Sequence, residues 1–109
     1  LFLATDEVGT VVGQVWVEDT GRDAYLYKLS VDAAIQRGGI GRALVTAACE
    51  DAAGRGKEKM RLHVRVELTD NVAYFKSRGF EIVGEGMHEG YDHATFWKMA
   101  RDLDGMSRP

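Results

Sequence analysis

Cysteine and proline are almost missing from this chain. Its 109 residues include one of each, Cys49 and the final Pro109. A lone cysteine excludes an intrachain disulfide framework and a cysteine-rich metal site. With so little proline and 45% apolar residues, the chain is globular rather than disordered. No apolar run approaches the ~20 residues that a membrane-spanning helix needs, and no charged start with an apolar stretch marks a signal peptide. Positive charge is also scarce: 14 Lys and Arg stand against 17 Asp and Glu, a net charge of −3. Broad binding to nucleic acid or to anionic lipid is not expected, so any anion must be caught locally. His88 and His93 flank a loop without metal-ligand spacing, and no metal is assigned. The cytoplasm is the default compartment.

Glycine is plentiful, and its placement organises the chain. Residues 26–48 read as a strand, a short loop and an amphipathic helix, and the loop holds Gln36-Arg37-Gly38-Gly39-Ile40-Gly41. Glycine lets backbone N–H groups approach a ligand and tolerates positive φ. The following helix adds unpaired N–H groups and the positive end of its dipole. Together they make an anion site, most often for phosphate, and Arg37 and Arg42 flank it. A P-loop would need Lys-Ser/Thr where this chain has Arg42-Ala43, and a dinucleotide loop a small residue where it has Leu44. A nucleotide-phosphate binder of another class is therefore a third-ranked alternative.

The rest of the chain reads as short elements. Strands are expected at residues 1–4, 11–18, 25–31, 60–66, 80–84 and 94–99, and a polar turn at 19–23. Ile40, Leu44, Ala47, Ala48 and Ala52 form the apolar stripe of the first helix, which Gly54 and Gly56 stop. Cys49 reads as a small buried residue. Residues 71–78 form a second helix, capped by Thr69 or Asp70 and ended by a left-handed Gly79. The order β-β-β-α-β-α-β-β requires a crossover and a parallel pair in the middle. The fold class is α/β: a mixed, mainly antiparallel sheet with a central parallel βαβ unit and flanking helices. Residues 1–100 form one domain and 101–109 a C-terminal tail.

Two motifs carry a family resemblance. A strand, then Gln36-x-x-Gly39-x-Gly41, then a helix resembles the acyl-CoA loop of the GNAT superfamily of N-acetyltransferases. About thirty residues on, Asn71-Val72-Ala73-Tyr74-Phe75-Lys76-Ser77-Arg78-Gly79-Phe80 resembles its second signature, a helix ending in Gly-Phe. The resemblance implies an acyl-CoA N-acyltransferase-like fold and acetyl-CoA as cosubstrate. It implies coenzyme contacts from Leu29, Ser30, Val31, Gln36, Arg37, Gly38, Gly39, Ile40, Gly41, Arg42, Asn71 and Phe75. The chain departs from the family in three ways. Phe75 stands where a proton-donating Tyr is usual, with Tyr74 beside it. Leu68 stands where an Asn usually opens the helix, so Asn71 either reaches the pantetheine arm or starts the helix. The family's first strand and two helices, which wall the acceptor side, have no counterpart, so a longer protein or a second copy in a homodimer would supply them.

What the resemblance implies chemically is direct attack of an amine on the thioester, without a covalent enzyme intermediate. A Lys-like amine of pKa ≈ 10.4 is neutral in about 1 molecule in 2,500 at pH 7, a barrier of about 4.6 kcal/mol. The backbone N–H of Leu29 is the oxyanion donor that the resemblance points to, and Tyr74 the candidate acid. Glu18, Asp19, Asp23, His63 and Glu67 are the candidate bases, led by Glu67 and His63, which share a face of the fourth strand. The acceptor is a small-molecule or peptide amine. A coenzyme-binding or interaction module without turnover is the second hypothesis, motivated by Phe75 and the missing acceptor wall.

Overall fold

A computed structural model describes residues 1–5, 8–31 and 39–103. Six strands and two helices follow one another: β1 (Phe2–Thr5), β2 (Val11–Thr20), β3 (Asp23–Val31), α1 (Ile40–Gly54), β4 (Lys59–Arg65), α2 (Thr69–Ser77), β5 (Glu81–Gly86) and β6 (Phe96–Asp102). They build one sheet in the order β1-β2-β3-β4-β6-β5. Every neighbouring pair is antiparallel except β3 and β4. That parallel pair is the expected one, because α1 supplies the crossover between its strands.

Side-chain alternation assigns the two faces of the sheet. In β4, Met60, Leu62 and Val64 are buried, while Arg61, His63 and Arg65 are exposed. The buried set joins Val15, Ala24, Leu26 and Met99 from the other strands, Val45, Ala48, Cys49 and Ala52 from α1, and Phe75 and Phe80 from α2 and its exit. Both helices therefore cover the same face. The apolar stripe of α1 is rotated from the expected one. Val45, Cys49 and Ala53 join Leu44, Ala48 and Ala52 in the core, and Ala47 is only half-buried. The helix can lie this close because Gly13 faces it: a Cβ there would sit 3.0 Å from both Ile40 Cγ2 and Leu44 Cδ1.

Element boundaries depart from the sequence-based expectation in several places: β5 runs over Glu81–Gly86 rather than 80–84, β6 starts at Phe96 rather than Ala94, and three further departures have a local cause. The 19–23 turn shrinks to Gly21 and Arg22, because Thr20 pairs with Asp23 and Gly21 adopts φ +67°. Helix α2 starts at Thr69, with Leu68 as a cap that offers no side-chain hydrogen bond, so neither Thr69 nor Asp70 caps it. Arg101 and Asp102, expected in the tail, belong to β6. They pair with Met60 and Lys59, and the next residue, Leu103, is buried and donates its backbone N–H to the Glu58 carbonyl at 2.9 Å. Burial of Leu103 is what carries the sheet past residue 100. Gly79 ends α2 in the left-handed conformation at φ +91°, as its position predicts. Among the described residues, no helix is long and apolar enough to cross a membrane.

Candidate active site

Strands β3 and β4 share only two paired positions, Ala24 with Met60 and Tyr25 with Arg61. Beyond them β3 continues to Val31 and β4 to Arg65 without pairing to each other. The cause lies in β3. Gln14 pairs with Ser30 and Trp16 with Tyr27, so β3 carries one residue more than β2 over that span. Such a bulge bends and twists its strand. Lys28 absorbs the bend at φ +52°, the only positive φ outside glycine among the described residues. That conformation costs about 1–2 kcal/mol for a residue with a Cβ. Its ammonium lies 5.8 Å from the centre of the Trp16 ring and 6.0 Å from that of Tyr27.

The splay opens a cleft of about 930 Å³ through the sheet, a size suited to a substantial ligand. One wall is the bulged part of β3, including Leu29 and Ser30; the facing wall is β4, including His63 and Arg65. Gly39, Gly41 and Arg42 of the α1 start and Asn71, Tyr74, Phe75 and Arg78 of the α2 region close one end. Gly39 caps α1 at φ +81°, its carbonyl accepts from the Ala43 N–H at 3.0 Å, and the first turn has no acidic side chain. The N–H groups of that turn lack intrahelical partners. An anion therefore meets a bare helix start with Arg42 beside it.

The expected coenzyme residues fall into three groups. Leu29, Ser30, Gly39, Gly41, Arg42, Asn71 and Phe75 line the cleft. Val31 pairs with Gly13 at the end of β3, and Ile40 opens α1 while packing against the core. Gln36, Arg37 and Gly38 lie outside the described residues. Asn71 stands in the third position of α2 and so does not start that helix.

The candidate acid and base residues separate clearly. Tyr74 lies in the cleft wall; its hydroxyl and the Nε of Arg78 are buried with no hydrogen-bond partner among the described residues. Burial pushes the Tyr74 phenol above its ordinary pKa, and Arg78 and Arg42 partly offset this. The phenol stays protonated at neutral pH. Glu67 does not fit the role expected of it. It lies past the end of β4, outside the cleft lining, and Arg65 binds it at 2.5 Å. Its own backbone N–H, followed by Arg65, holds its carboxyl below the usual range, which makes it a poorer base. Asp19 is held by Arg55 and Asp23 by Arg61, and neither they nor Glu18 line the cleft. His63 does line it. Its ring stacks on Phe96 at 4.6 Å and meets the Tyr25 ring edge-on at 5.2 Å. Burial, then Lys98 and His88, lowers its pKa, so the ring is neutral and ready to accept a proton at pH 7.

Sequence reasoning missed Arg78 and the bulge at Lys28. The first has no signal beyond its place next to Gly79. The second leaves no mark in residue type, since lysine disfavours positive φ.

Several solved structures of the same shape are named as acetyltransferases. The nourseothricin acetyltransferase structure matches with a TM-score of 0.83 at 23% identity, over 93% of this chain and 63% of that one. The ribosomal-protein-S18-alanine N-acetyltransferase of Escherichia coli matches with a TM-score of 0.77 at 24% identity, over 90% of this chain and 65% of that one. A PaiA N-acetyltransferase from Thermoplasma acidophilum, solved in complex with coenzyme A, matches at 0.71 and 18% identity, over 85% of this chain and 54% of that one. This chain belongs to the Acetyltransferase (GNAT) family, whose model matches residues 1–80. A curated relative, mycothiol acetyltransferase of Clavibacter sepedonicus, is 32% identical over 80 residues, 73% of this chain. The chain spans 26% of the length of that relative.

Proposed function

We propose that the chain binds acetyl-CoA in the β3/β4 cleft and passes its acetyl group to an amine by direct attack. The observation that carries this reading is the splay of β3 from β4 beside a helix start led by a left-handed Gly39. The diphosphate sits on the N–H groups of Gly39, Ile40, Gly41 and Arg42; Gln36, Arg37 and Gly38, outside the described residues, are the further contacts that the family resemblance implies. The pantetheine arm runs along Leu29, Ser30 and Val31, against Asn71 and Phe75. The residues present fit an anionic thioester: the helix start has no acidic side chain, Arg42, Arg65 and Arg78 line the cleft, and the buried Tyr74 phenol has no hydrogen-bond partner among the described residues.

Three groups then divide the chemistry. The amine lone pair attacks the thioester carbonyl carbon, and the backbone N–H of Leu29, beside the bulge, holds the oxyanion; one such donor is worth about 3–4 kcal/mol. The carbon–sulfur bond breaks, and the leaving sulfur takes a proton from Tyr74. His63, in place of Glu67, takes the proton that the amine loses. Holding both reactants in one cleft supplies the remaining advantage through orientation.

Calorimetry of acetyl-CoA binding tests the reading. The wild type should bind, and Gly39→Val should lose most of that affinity while its melting curve stays cooperative. Tight binding by Gly39→Val overturns the assigned anion site. A non-catalytic coenzyme-binding module is a second reading, favoured by Phe75 in the usual proton-donor place. Bound coenzyme with no thiol release across a panel of amines would decide for it.

A further inference from the structure

The sheet face opposite α1 and α2 carries a band of rings. Trp16 meets Tyr27 at 6.3 Å, Tyr27 stacks with Tyr25 at 5.9 Å, Tyr25 meets His63 at 5.2 Å, His63 stacks with Phe96 at 4.6 Å, and Phe96 meets His88 at 4.9 Å. The band crosses β2, β3, β4 and β6 and passes the cleft, whose lining includes Tyr27 and His63. Its charge leans positive near the cleft, with Glu18 the acidic group that acts on Tyr25. Arg61 and Arg65 are matched by Asp23 and Glu67. Lys98, directly across from His63 on β6, makes no ion pair among the described residues, and Lys28 lies over Trp16 and Tyr27. Glu18 of β2 pairs in register with Tyr25, three strands from Lys98.

Lys28 already occupies the ring faces of Trp16 and Tyr27 that would draw a cation, and together with Lys98 it disfavours a second ammonium that brings no anion of its own. An acceptor that brings its own anionic group is not so disfavoured. We propose that the acceptor is a small amine bearing a carboxylate within a few bonds of its nitrogen, with its apolar body on the Tyr25–His63–Phe96 rings and its carboxylate on Lys98. This inference rests on the transferase reading above. The carboxylate accepts a charge-assisted hydrogen bond from the Lys98 ammonium, and the flat rings hold an aromatic or aliphatic body. The balance of the transfer is unchanged. The N–C bond forms, the C–S bond breaks, the nitrogen's proton passes to His63, and the products are the free thiol and an N-acetyl acid.

A matched pair of probes tests it: L-phenylalanine and 2-phenylethylamine, which differ only in the carboxylate. Thiol release from acetyl-CoA should show kcat/KM at least tenfold higher for phenylalanine. Lys98→Met should bring that ratio close to one, and Lys98→Arg, which keeps the charge, should restore most of it, with acetyl-CoA affinity by calorimetry unchanged in both. Equal or faster reaction of 2-phenylethylamine with the wild type overturns the inference and leaves the transferase reading standing. So does a preference that survives Lys98→Met, and so does silence toward both probes with acetyl-CoA bound. Failure of the wild type to bind acetyl-CoA overturns the reading beneath it.

Discussion

Gly13→Ala and Gly54→Ala are the same chemical change with opposite expected signs. A Cβ at Gly13 would stand 3.0 Å from Ile40 Cγ2, 3.0 Å from Leu44 Cδ1 and 3.2 Å from the Ser30 carbonyl oxygen. Two of these atoms belong to the first turns of α1 and the third to β3, so the methyl would wedge the helix off the sheet. Overpacking of this kind costs about 1–3 kcal/mol. For a domain of this size that is a fall in Tm of about 4–24 °C, at roughly 4–8 °C per kcal/mol. Gly54 closes α1, and a methyl added there would meet nothing within 4 Å. Alanine at that position restricts only the unfolded chain and should add about 0.4–1 kcal/mol, or about 2–8 °C. Thermal unfolding by circular dichroism reads both. Gly13→Ala should also weaken acetyl-CoA binding, because the displaced turn is the one that presents the anion site. A Gly13→Ala protein as stable as wild type would refute the packing argument, since it would mean that Ile40, Leu44 and the Ser30 carbonyl give way by a few tenths of an ångström at no cost.

Further outcomes follow from the cleft. Tyr74→Phe removes a buried hydroxyl that has no partner among the described residues, a group that costs about 1–3 kcal/mol when left unpaired; Tm should hold or rise while thiol release slows, and an unchanged rate would remove Tyr74 as the acid. Glu67→Gln should leave kcat/KM nearly unchanged in the same assay. His63 is held below its ordinary pKa of 6.5 in the fold, so the unfolded chain binds the extra proton first. Stability should therefore fall as pH drops from 7 through 6.5 toward the folded value, and His63→Gln should flatten that slope in melting curves. Gly86→Ala would drive a methyl into the Phe96 ring; the ring must leave His63, and an NMR titration should show the His63 pKa moving back up.

The features that periodicity and glycine placement govern were legible in the sequence. The β-β-β-α-β-α-β-β order, the parallel pair, the left-handed Gly79 and the cleft-lining Gly39, Gly41 and Arg42 all follow from local rules. What escaped them depends on tertiary context. Arg101, Asp102 and Leu103 looked like tail because charge dominates the segment, yet Leu103 finds the core. Glu67 and His63 shared a strand face on paper, but β4 ends at Arg65, which leaves one of them outside the cleft and the other at its mouth. The rotated stripe of α1 reflects how the helix lies over Gly13, a contact between segments far apart in the chain.

The two-rung union of β3 and β4 divides the sheet into leaves, β1 to β3 on one side and β4 to β6 on the other. Between them run those rungs, the Asp23–Arg61 ion pair and the Arg22 carbonyl accepting from the Glu58 N–H at 2.8 Å, with α1 lying across. A molecule lodged in the gap touches both leaves at once and acts as mortar between them. Its arrival should slow amide hydrogen exchange most at Tyr25, Arg61 and their neighbours, beyond the shift that mass action gives the protein as a whole.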